Sequence, residues 1–116
     1  MIPGTDVISV FVTTPGKASA LALARQVVEE SLAACGNLIP NVTSVFRWNE
    51  KVTEEEEVLL ILKTTDARRS ALIARVAELH PYEVPEVLCL RVEDGFGPYL
   101  DWVGQCTPKE SPDDRI

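Results

Sequence analysis

Seven consecutive residues, His80-Pro81-Tyr82-Glu83-Val84-Pro85-Glu86, hold the densest set of groups able to do chemistry, including the only histidine and two of the eight prolines. Pro81 and Pro85 fix φ and push the residues before them, His80 and Val84, toward extended backbone, so the segment is a stiff connector. Its polar side chains therefore stand on a rigid support. A neutral His80 imidazole could ligate a metal or act as a general acid or base, with the Glu83 and Glu86 carboxylates beside it. A histidine ending a helix serves equally well as a C-terminal cap. One histidine falls short of the roughly three or four ligands of a tight transition-metal site. Cys35, the glutamates or other copies of the chain would have to complete it. Imidazole and thiolate donors favour copper over magnesium or calcium.

The remaining reactive groups are weaker candidates. A catalytic cysteine wants a helix N-terminus or a cation nearby. Cys35 follows the expected end of the first helix, where the dipole disfavours a thiolate, and reads as a packing residue. Cys89 and Cys106 read the same way. Glu54-Glu55-Glu56-Glu57 falls on a strand, where successive carboxylates point to opposite faces, so it reads as a solvated edge rather than a cation cage. Trp48, Tyr82, Tyr99 and Trp102 suit either a pocket wall or an interface. Lys63 ends an apolar strand, and its ammonium is expected to meet a carboxylate such as Glu86 or an anionic ligand. No phosphate-cradling glycine loop, HExxH or GxSxG motif is present, so no enzyme is expected.

These groups must be positioned by a chain of 116 residues, 46% hydrophobic and 25% charged, which fits one domain over 1–116. Its ordered core is expected over 6–106 and a loose, proline-interrupted tail over 107–116. The net charge of −7 argues against nucleic acid or anionic membranes as partners and suits cations. Three cysteines without CxxC spacing indicate a reduced, cytoplasmic protein. The apolar run 7–12 is too short for a signal peptide or a membrane span.

Strand periodicity places a first strand at 7–12, closed by Thr14-Pro15-Gly16. A helix over 17–32 follows, with Leu21, Ala24, Val28 and Leu32 as its apolar stripe and Gly36-Asn37 at its exit. Strands at 38–48 and 52–64 turn near Asn49-Glu50-Lys51. Thr65-Asp66 caps a second helix to Leu79, striped by Leu72, Val76 and Leu79 and stopped by Pro81. A fourth strand lies at 87–92, and Pro98 opens a last helix carrying Tyr99, Trp102, Val103 and Cys106 on one face. This is an α+β, ferredoxin-like βαββαβ fold with a long central hairpin and a C-terminal helix.

Val58-Leu59-Leu60-Ile61-Leu62 is apolar at every position, so both faces of that strand need cover. Two helices cover only one face of a four-stranded sheet. The other face is expected to meet further copies of the chain, with Leu60 or Ile61 in the contact; the alternative is the terminal helix folding over it.

Leu32-Ala33-Ala34-Cys35, Ser44-Val45-Phe46-Arg47-Trp48, Leu62-Lys63-Thr64, the 80–86 segment and Tyr99-Leu100-Asp101-Trp102 together resemble the CutA divalent-cation-tolerance proteins in order and spacing. The resemblance spans about residues 7–102. It implies a tight PII-like homotrimer with Trp48, Leu60 and Ile61 at the subunit interface. It also implies a non-catalytic protein that requires no cofactor and binds Cu(II) or another divalent cation. His80 matches the family's metal-associated histidine. Val12 and Leu79 stand where some bacterial members carry a cysteine and a second histidine, so two ligand candidates are missing. Glu50 stands where the family usually has glycine, which suits a type I′ turn poorly. By the same resemblance, Cys35, Lys63, Tyr82, Glu83, Glu86 and Trp102 fall near an intersubunit cleft. The alternative implied function is a PII-like small-molecule sensor or scaffold in which metal binding is incidental.

Overall fold

A computed structural model describes residues 5–109. The elements are β1 (Val7–Thr14), α1 (Lys17–Glu29), β2 (Cys35–Trp48), β3 (Lys51–Thr65), a 3-10 turn (Asp66–Arg68), α2 (Arg69–Leu79), β4 (Val87–Arg91) and α3 (Gly97–Cys106). The strands form one antiparallel sheet in the order β2-β3-β1-β4. This is the expected ferredoxin-like βαββαβ arrangement followed by a helix.

Alternation along the strands sorts their side chains onto two faces. On one face, Ile8, Val10 and Val12 of β1 meet Leu60 and Leu62 of β3, opposed as Val10↔Leu62 and Val12↔Leu60. α1 and α2 close over them with Ala20, Leu23, Ala24 and Val27, and with Leu72 and Val76. Each large apolar side chain so buried contributes about 1.5–3 kcal/mol. Gly36 sits in β2 under α1: a Cβ there would meet Leu62 Cδ2 at 3.1 Å and Ala24 Cβ at 3.2 Å. The glycine admits the helix; it is not the helix exit. That role falls to Ser31, whose φ of 60° turns the chain out of α1.

The buried stripe of α1 is rotated from the expected one. Leu21 is 41% exposed and Val28 is also exposed, while Ala20, Leu23 and Val27 are buried. Both stripes have helical spacing, and the sheet selects between them. Leu79 is likewise exposed, leaving Leu72 and Val76 as the anchor of α2.

The opposite sheet face carries Phe11, Leu59 and Ile61, with Ile39, Leu88 and Leu90 around them. Leu88 remains 54% and Leu90 46% exposed. α3 covers only the far end of this face, where Val103 packs with Val7 and Ala34. Leu60 lies on the helix-covered face with no exposed surface, which corrects its expected place in a subunit contact. Ile61 does face the uncovered side.

The β2–β3 hairpin runs on past β1, after a break in register between Ile39 and Val42. Trp48 at its tip is 65% exposed. The tip turns through Asn49 and Glu50 with φ of 49° and 67°, so Glu50 adopts the left-handed conformation that glycine would take without strain. Thr107 and Lys109 of the expected tail are tied to the fold. Thr107 is buried and donates to the Val103 carbonyl, and the Lys109 carbonyl accepts from Arg68. Residues 1–4 and 110–116 of the expected domain lie outside the described residues.

Candidate functional site

α2 ends at Leu79, because Pro81 cannot continue a helix and forces His80 into extended backbone, with φ −73° and ψ 139°. The His80 N–H still caps the helix by donating to the Val76 carbonyl at 2.9 Å. Its ring turns inward, and the residue is 7% exposed. Nε2 lies 2.7 Å from the Thr13 carbonyl, which can only accept, so Nε2 carries a proton. Nδ1 accepts the Tyr82 N–H at 3.0 Å. Together these bonds set the neutral Nε2–H tautomer. Thr13 is free to accept because β4 begins at Val87, opposite Val12. His80 thus finishes an edge of β1 that β4 leaves open.

Tyr82 completes the unit. Its ring lies 4.7 Å from the imidazole, centroid to centroid, and its hydroxyl donates to Glu57 Oε2 at 2.8 Å. Burial, then the Glu57 hydrogen bond, pushes the phenol up to about 12. Glu57 is itself buried, unlike Glu54, Glu55 and Glu56. The sequence offered no signal for this partner, since the four glutamates differ only in register.

The geometry does not fit the expected copper set. Both His80 nitrogens are committed, so no lone pair faces a metal. Glu83 and Glu86 are exposed, and no group of three His, Cys, Asp or Glu side chains converges among the described residues. Val12 is fully buried in the core. His80 is a structural anchor here.

The other expected cleft residues gather at the α3 end. Cys35 pairs with Lys63 in register and places Sγ 3.4 Å from the Tyr99 hydroxyl. Tyr99 stacks near Trp102, with centroids 5.7 Å apart. The Cys35 contact, then burial, pushes the Tyr99 phenol up to about 12. Lys63 Nζ meets Asn37 Oδ1, a neutral partner in place of the expected Glu86. Glu57 and Lys63 are six positions apart on β3, about 20 Å at the rise of a strand. Tyr82 therefore stands apart from Cys35, Lys63 and Trp102 within the chain. Cys35 lies opposite Lys63, and Thr13 opposite Leu59, a stagger of about 13 Å that rules out a Cys35–His80 nucleophile and base pair.

These features define a ferredoxin-like α+β domain with a long hairpin arm, a half-covered sheet and a histidine closed on backbone groups. The chain belongs to the CutA1 divalent ion tolerance protein family, whose model it matches over residues 8–106. It is 49% identical over 115 residues to Protein CutA of Homo sapiens, covering 99% of this chain and 63% of that protein. It is 44% identical over 98 residues to the divalent-cation tolerance protein CutA of Thermus thermophilus, covering 84% of this chain and 95% of that one. The crystal structure of CutA from Xylella fastidiosa superposes with a TM-score of 0.88 at 36% identity, covering 90% of this chain and all of that one. The chain thus spans less than two thirds of its human relative. Among the described residues, no helix is long and apolar enough to cross a membrane.

Proposed function

We propose that this chain is a non-catalytic divalent-cation tolerance protein that works in the cytoplasm as a homotrimer. The observation that carries this reading is its family membership, with a Thermus thermophilus relative named for divalent-cation tolerance. Self-association is supported by the half-covered sheet face, where Phe11, Ile61, Leu88 and Leu90 keep apolar surface available. The exposed Trp48 at the end of the hairpin arm adds to it. The number three comes from the family resemblance.

The cation, copper or another divalent ion, is held weakly and as cargo, with no resident cofactor. The net charge of −7 attracts it, and exposed carboxylates of the assembled surface meet it in place of the His80 ring. Light scattering should return three chains per particle. Calorimetric titration of the metal-free protein with Cu(II) should show saturable uptake, and a featureless titration contradicts the cation reading. A second reading, a small-molecule sensor, rests on Lys63: its partner Asn37 is neutral, which leaves the ammonium charge for an anionic ligand.

A further inference from the structure

We propose that His80 is a proton-operated latch, holding the 80–86 segment closed at neutral pH and releasing it in acid. The closed state depends on one tautomer. Nε2–H donates to the Thr13 carbonyl, and the Nδ1 lone pair takes the Tyr82 N–H at 3.0 Å. A proton added to Nδ1 turns that acceptor into a donor aimed at another donor. One of the two must leave, and the ring is almost fully buried, so water is not at hand to take over. The Thr13 bond survives protonation, because Nε2 donates in both forms. Release therefore falls on Tyr82.

The charges around the ring give the open state its own partner. β1 presents only the neutral Thr13 carbonyl, since Val7–Thr14 contains no ionisable side chain. β3 presents Glu57, one hydrogen bond beyond the Tyr82 phenol, with Glu55 acting on the same phenol. The last turn of α2 carries Glu78, and the segment itself carries the exposed Glu83 and Glu86. While the latch is closed, the Tyr82 hydroxyl occupies Glu57 Oε2. When Tyr82 leaves, that carboxylate is free to face the imidazolium. Pro81 and Pro85 make the segment move as a stiff unit, so Tyr82 and the exposed Val84 shift together. The latch would regulate whatever docks on this rim, and it does not depend on cation uptake.

Because the chain has one histidine, its ring signals in NMR are unambiguous. Ring nitrogen spectra and amide exchange, corrected for intrinsic pH dependence, are followed in the intact protein from about pH 8 to 5. The ring should begin as the Nε2–H tautomer. As Nδ1 gains its proton, the Tyr82 amide should lose protection about tenfold, the factor for losing one hydrogen bond. Val10 and Leu60 amides should stay protected. Tyr82 protection unchanged through the ring titration overturns the latch. So does a ring still neutral at the acid end, or loss of Val10 protection at the same midpoint, which marks global unfolding. In folded His80→Gln, Tyr82 exchange should not vary with pH over this range; variation matching wild type also overturns the proposal.

Discussion

The Tyr82 hydroxyl donates to Glu57 Oε2 at 2.8 Å, and this bond ties the connector after α2 to β3 near the root of the hairpin arm. The two residues are 25 positions apart and belong to different structural units. With His80 on Thr13, the bond makes the 80–86 segment part of the sheet edge rather than a free rim. A carboxylate as buried as Glu57 needs that donor.

Tyr82→Phe removes the donor and leaves the acid. The expected cost is about 1–3 kcal/mol, as for a charged group losing its hydrogen bond, seen as a lower thermal or urea midpoint at matched protein concentration. An unchanged midpoint shows that Glu57 is satisfied by other means.

Alkaline titration probes the same contact. Both phenols, Tyr82 and Tyr99, are pushed up to about 12, against an ordinary value of 10.0. The folded state holds these protons more tightly than the unfolded chain. Their stabilisation is therefore complete below about pH 10 and is lost as pH rises through about 12. Phenolate absorbance of the folded protein should stay low until well above pH 10, whereas a rise centred near 10 contradicts the buried contacts.

The four strands, the element order and the stop at Pro81 were legible because Pro, Gly and strand periodicity carry local signals. The choice of faces was not. Residues 58–62 are apolar throughout, so alternation alone could not say that Leu60 turns inward and Ile61 outward. In α1, Leu21-Ala24-Val28 and Ala20-Leu23-Val27 are both helical stripes, and packing on Leu60 and Leu62 decides between them. The chemistry of His80 was open for a similar reason: a lone histidine shows its residue type but not its hydrogen bonds. Its partners, the Thr13 carbonyl and the Tyr82 N–H, are backbone groups that no sequence motif reports.

Glu30 accepts two hydrogen bonds from Arg75, at 2.9 and 2.8 Å, joining the end of α1 to α2. The Arg75 hydrogen bonds, helped by Gln26, hold the carboxyl below its ordinary 4.5. A depressed acid contributes stability above its unfolded value and loses it as pH falls through the folded one. Arg75→Met should narrow the difference in stability between pH 7 and pH 3. Parallel acid profiles for the two proteins would show that the pair contributes nothing.

Ile61 and Leu60 are neighbours on β3 that face opposite ways. Ile61→Asp should leave a folded chain while dissociating the proposed assembly, read by light scattering beside circular dichroism. Leu60→Asp buries a charge in the helix-covered core and should unfold the subunit itself. Folded assemblies from both variants would remove the sheet face from the interface.

The most direct test of the account is a calorimetric Cu(II) titration of the metal-free protein beside His80→Gln. Both His80 nitrogens are already engaged by Thr13 and Tyr82, so the account predicts saturable uptake with the same stoichiometry in both proteins. Uptake present in the wild type and abolished in folded His80→Gln would contradict it and return the metal to the imidazole.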